Sequence, residues 1–168
     1  MNFFYLLLLA HVLADFPLQT DTVFRLKQKS MMGVLLHAGI FTAVALIIFF
    51  PLLAQAAAWT AILALTLLHI VIDRAKVFLS LRKARDTFIY FAVDQVLHFV
   101  SIWIAGDWLG RTTLATTPSI PALYYNDRFF LILIALVLAS FAGSLVIFYV
   151  EHSFLHRTHT DRHLLFPK

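Results

Sequence analysis

MNFFYLLLLAHVLADFPLQ, residues 1–19, is almost wholly apolar over its first ten positions and then sets His11 and Asp15 four residues apart. Four residues is about one helical turn, so both side chains share one face of a helix. The pair returns as His69 and Asp73 in HIVID, residues 69–73, and in reverse order as Asp94 and His98 in DQVLH, residues 94–98. Each copy lies inside a hydrophobic run, where packing alone would call for no ionisable group.

The surrounding composition sets the class of fold. Hydrophobic residues make up 61% of the 168 positions and charged residues 13%. Soluble domains have roughly 45–50% and about 25%. The surplus gathers in long stretches, which marks an all-α, polytopic membrane protein. Cysteine is absent, which excludes disulfides, thiolate catalysis and sulfur-ligated metals. The net charge of +4 is modest and no nucleic-acid partner is expected. Residues 1–19 lack a basic leader and a small-residue cleavage site, so they read as the first membrane helix rather than a signal peptide.

Five segments follow from the hydrophobic runs. They cover about Asn2–Gln19, Met32–Phe50, Ala56–Ile72 with helical continuation to Leu81, Thr87–Trp108 and Arg128–Tyr149. Pro17 should kink or end the first, because it lacks an N–H and its ring opposes the carbonyl of Leu13. Thr20–Ser30 reads as a polar connector, and Leu109–Asp127 as the longest loop. Residues 1–150 thus form a five-helix membrane domain and residues 151–168 a His-rich tail. The connectors after segments one and three carry Arg25, Lys27, Lys29, Arg74, Lys76, Arg82, Lys83 and Arg85, whereas the one after segment two carries no Lys or Arg. The positive-inside rule then puts the N-terminus outside and the C-terminus in the cytoplasm.

That topology makes the reversed motif consistent with the other two. Segment four runs opposite to segments one and three, so all three helices place a carboxylate nearer the cytoplasm and an imidazole one turn, about 6 Å, above it. His37, in the second turn of segment two, falls in a similar band. The expectation is a layer of His11, His37, His69 and His98 over a layer of Asp15, Asp73 and Asp94. A carboxylate in the middle of a membrane helix costs roughly 2.5–3.5 kcal/mol, so three cost on the order of 8–10 kcal/mol. Ion pairs, a water-filled cavity or a bound cation must offset this. The bland reading is interhelical hydrogen bonding. Three copies at matched depth favour a divalent metal instead, zinc first, with iron or manganese as alternatives for imidazole and carboxylate ligands.

Supporting groups follow from the same helices. Gln19 lies two turns below His11. Lys76, three residues past Asp73, could pair with it or snorkel to the interface. Gln95 adjoins Asp94 and so points to a different side, suited to an interhelical hydrogen bond. In the tail, His152, His156, His159 and His163 make one helical stripe, a weaker second metal candidate beside the plainer reading of an interfacial helix. Ala139, Ser140, Gly143 and Ser144 in segment five have small-xxx-small spacing, a packing face for a homo-oligomer or a membrane partner.

HVLADFPLQT, the isolated His37, HIVIDRAK and DQVLH together resemble an uncharacterised bacterial integral-membrane family, a domain of unknown function, over about residues 8–98. The resemblance implies a bacterial cytoplasmic-membrane protein with these residues at its site, and it implies no reaction. The leading expectation is a membrane-embedded, metal-dependent hydrolase of a lipid or lipid-linked substrate. His11, His37, His69 and His98 would hold the metal, and Asp15, Asp73 and Asp94 are the candidate catalytic carboxylates. The alternatives are a proton- or cation-coupled transport component and a non-catalytic membrane subunit with a structural cluster.

Overall fold

The computed structural model describes residues 1–83, 88–112, 120–143 and 147. Among them are six α-helices and no strand: α1 Phe3–Asp15, α2 Asp21–Lys29, α3 Met31–Ile48, α4 Ala56–Lys83, α5 Phe88–Thr112 and α6 Asp127–Val137. A π-helical turn, Leu138–Ala142, prolongs α6 through the stretch that holds Ala139 and Ser140. The tail histidines, Ser144 and the far end of segment five lie outside the described residues.

The central helix is α1, a short apolar one. Nine of the 13 residues of α1 are buried, and it packs against α3, α5 and α6. Helix α4 completes the bundle against α3 and α5. Asn2 starts α1 by accepting a hydrogen bond from the Phe4 amide at 3.1 Å. Pro17 stops it as expected. The Leu13 carbonyl, which cannot be served by Pro17, accepts from the Leu18 amide at 3.1 Å, and the helix closes at Asp15. At 13 residues, α1 spans about 20 Å, too short to cross a bilayer core of about 30 Å by itself.

Among the described residues, three helices are long and apolar enough to cross a membrane: Met31–Ile48, Ala56–Leu79 and Ile89–Thr112. Their outward faces are apolar too. Ile47, Leu67, Val71, Val96 and Trp103 are all exposed. An exposed apolar girdle of this kind suits lipid rather than water.

The expected connector 20–30 is in fact helix α2. Its sequence is too polar to span and too short to be stable alone, so only its docking on α3 makes it a helix. Thr20 caps its start, accepting from the Val23 amide at 3.4 Å. Ser30 serves both helices: its amide donates to the Leu26 carbonyl of α2 at 3.0 Å, and its hydroxyl accepts from the Gly33 amide of α3 at 3.1 Å. Gly33 lets the hairpin close, since an added Cβ would fall on the Leu26 carbonyl and the Lys27 amide nitrogen. At the opposite end of the bundle the Tyr124 hydroxyl donates to the Ile48 carbonyl at 2.8 Å, serving an open carbonyl at the end of α3.

Helices α1 and α5 touch closely at Gly106, where a Cβ would sit 2.8 Å from the Phe4 backbone. Gly106→Val should therefore lower stability by about 1–3 kcal/mol through overpacking. Gly110→Ala on the same helix, where a Cβ meets nothing within 4 Å, should leave stability unchanged or raise it by up to about 1 kcal/mol. Denaturant unfolding in detergent compares them; equal losses would rule out this close contact.

Candidate metal centre

The end of α1, the second turn of α3, the second half of α4 and the first half of α5 meet at one end of the bundle. They bring His11, Asp15, His37, His69, Asp73, Asp94 and His98 together, every one of them buried. The four imidazoles touch. Ring centroids are 4.7 Å apart for His11 and His98, 4.3 Å for His69 and His98, and 4.9 Å for His37 and His69. Phe41 stacks on His69 at 5.2 Å and fixes the plane of that ring. The hydroxyls of Thr42 and Thr66 are 2.8 Å apart and tie α3 to α4 one turn from His37 and His69.

Carboxylate and imidazole atoms alternate. Asp15 Oδ1 lies 3.2 Å from His37 Nε2, 3.6 Å from His69 Nε2 and 3.6 Å from His11 Nδ1. Asp73 Oδ2 lies 3.4 Å from His69 Nε2 and 3.7 Å from His37 Nε2. His98 Nε2 is 3.8 Å from both Asp73 Oδ1 and Asp94 Oδ1. Three triplets have one nitrogen or oxygen from each member within 4.8 Å of the others: His11, His69 and His98; Asp15, His37 and His69; Asp15, Asp94 and His98. Despite this crowding, His11 Nδ1, Asp15 Oδ1, His37 Nε2, His69 Nε2, Asp73 Oδ2, Asp94 Oδ1 and His98 Nε2 are buried without a hydrogen-bond partner.

The supporting residues are placed differently from the sequence expectations. Lys76 neither pairs with Asp73 nor snorkels. Its ammonium crosses to α5, 3.1 Å from Asp94 Oδ2, and lies over the Phe91 ring at 5.3 Å. Gln95 makes the interhelical hydrogen bond that the sequence suggested, but into the cluster rather than away from it. Its Nε2 donates to Asp94 Oδ2 at 3.2 Å and reaches Asp15 Oδ2 on α1 at 3.5 Å. Gln19 accepts from Lys27 Nζ at 3.3 Å. Lys27, counted in the sequence only as one of several basic residues, is 5% exposed and its ammonium is 2.6 Å from Asp73 Oδ1. The one available signal was the amphipathic pattern of residues 21–29, which turns Lys27 away from the exposed Arg25, Leu26 and Lys29.

The chain matches, over residues 3–126, the family model described as a protein of unknown function, DUF3307. It belongs to that family, and the match extends through α5 to the turn before α6. No curated protein and no solved structure matches it.

With neutral imidazoles, three carboxylates and two ammonium groups leave one net negative charge in the cluster. Lys76→Met would strand Asp94 as a buried, uncompensated carboxylate and should cost about 3 kcal/mol. Adding Asp94→Asn should recover most of that loss. A double-mutant cycle by denaturant unfolding measures it; additive effects would mean the pair is not coupled.

Proposed function

We propose that this protein is a membrane-embedded, metal-dependent hydrolase acting on a lipid or lipid-linked substrate. The observation that carries the proposal is the convergence of buried nitrogen and oxygen atoms that have no hydrogen-bond partner. Leaving such groups unpaired costs about 1–3 kcal/mol each, and more when charged. A divalent cation would satisfy several at once. The donor set is imidazole and carboxylate, which suits zinc, and also iron or manganese. The nitrogen–oxygen separations of 3.2–3.8 Å bracket the edge of a tetrahedron with metal bonds of about 2.0–2.1 Å, which is about 3.4 Å.

Such a metal, when bound, supplies a water acidified toward a pKa of about 7. The chain's own contribution is positional. Histidines on all four helices converge on one point, a spare carboxylate accepts the water's proton, and the apolar bundle keeps bulk solvent out. In this reading there are five crossings, α1 crossing only as the sheathed centre of the bundle, and with an outer N-terminus and a cytoplasmic C-terminus the cluster lies in the cytoplasmic leaflet of a bacterial membrane. There a lipid could enter sideways through the bundle.

Protein purified in detergent without a His tag, and supplied with zinc, iron or manganese, should hold metal stoichiometrically by elemental analysis. Asp15→Asn and His69→Ala should each lose it while still inserting and folding. A folded, metal-supplemented sample with no bound metal would end the proposal. The single net negative charge of the cluster supports a second reading, a proton relay, because one proton also neutralises it. Proton flux in metal-free proteoliposomes, lost in Asp15→Asn, would select that reading.

A further inference from the structure

Each of the three buried carboxylates has an ammonium or amide nitrogen within 3.5 Å of one oxygen, and the other oxygen faces imidazoles. Asp73 Oδ1 forms an ion pair with Lys27 Nζ at 2.6 Å, without hydrogen-bond geometry. Asp94 Oδ2 accepts from Lys76 Nζ at 3.1 Å and Gln95 Nε2 at 3.2 Å. Asp15 Oδ2 faces Gln95 Nε2 at 3.5 Å. The opposite oxygens, Asp73 Oδ2, Asp94 Oδ1 and Asp15 Oδ1, have no hydrogen-bond partner and face imidazoles. The donors come from three different helices, α2, α4 and α5, yet the outcome is the same at every carboxylate.

Resting on the metal reading above, we infer that Lys27, Lys76 and Gln95 are positioning residues that keep all three carboxylates single-ended, and that the metal is held by Asp15, His37 and His69. Asp15 Oδ1 lies 3.2 Å and 3.6 Å from the Nε2 atoms of His37 and His69, on both sides of about 3.4 Å, and these three residues form one of the triplets close enough to share an ion. His98 comes no nearer than 3.8 Å to a carboxylate oxygen, and it lies against His69 as a ring neighbour. Asp73 Oδ2 borders the same opening from the other side, 3.4 Å from His69 Nε2, where it can accept a proton from bound water.

Lys27 matters most because it guards that base. A carboxylate free to turn can offer both oxygens to a metal and take the position that water needs; an ammonium on one oxygen prevents this. The fold goes to some length to place Lys27. Helix α2 exists only by docking, Ser30 caps both α2 and α3, and Gly33 lets α3 meet the backbone at Leu26 and Lys27.

Cobalt(II) bound to the full chain in detergent tests this, since its visible absorption is intense in four-coordinate sites and weak in five- or six-coordinate ones. Wild type should bind one cobalt per chain with the intense band. His37→Ala and His69→Ala should weaken binding more than about 100-fold, whereas His11→Ala and His98→Ala should cost no more than about 10–100-fold, the range of groups behind a ligand. Lys27→Met should keep one cobalt but lose the intense band as Asp73 joins the metal. Lys27→Arg should keep the band, and Lys27→Met with Asp73→Asn, which strands no charge, should restore it. An unchanged band in Lys27→Met overturns the positioning role. Retention in His37→Ala with loss in His11→Ala and His98→Ala, or two cobalts in wild type, overturns the ligand assignment. No cobalt in folded wild type removes the metal reading and this inference with it.

Discussion

Three carboxylates buried in an apolar bundle are the constraint from which the rest of this structure follows. Burying a charge is costly unless it is paired and hydrogen-bonded, and the bundle offers few donors. Two ammonium groups and one amide therefore do most of the compensation, and each is drawn inward. Lys76 reaches from α4 to Asp94, Gln95 bridges Asp94 and Asp15, and Lys27 is carried in on a separate helix to Asp73. The backbone obeys the same demand. Helix α2, the shared Ser30 cap and the bare Cα of Gly33 all serve to bring one ammonium to one carboxylate.

The position of α1 has the same origin. A helix bearing His11 and Asp15 cannot face lipid, so it takes the centre, between α3, α5 and α6. The longer helices α4 and α5 present Leu67, Val71 and Val96 outward. The centre of the bundle is thus both its most buried element and one wall of its polar cluster. Pro17 ends that wall directly below Asp15, and Gln19 below it joins Lys27 rather than extending α1. Packing and chemistry share these residues, so a change meant for one will be felt by the other.

Much of the candidate site was visible in the spacing. His11 with Asp15, His69 with Asp73 and Asp94 with His98 each recur at one helical turn, and the reversed order of the third pair agrees with an antiparallel helix. The structure brings all six together, with His37. The donors were not visible. Lysine and glutamine have several rotatable bonds, so their position on a helix fixes where they begin and not where they end. Gln95 starts beside Asp94 and still reaches α1; Lys76 passes its own neighbour Asp73 to reach α5. The segment 20–30 was missed for a related reason: a short, polar helix has no stability of its own to record in its sequence.

The sequence by itself determined that the chain is helical and apolar outside, that its paired His and Asp residues lie on inward faces, and that cysteine chemistry is absent. Those are properties of periodicity and composition, which each segment carries alone. Only the tertiary structure decided which oxygen of each carboxylate meets an ammonium or amide nitrogen, and that Lys27 belongs to the cluster. Such choices depend on distances between helices far apart in the chain, here Gln95 with Asp15 across 80 residues, and no local pattern encodes them.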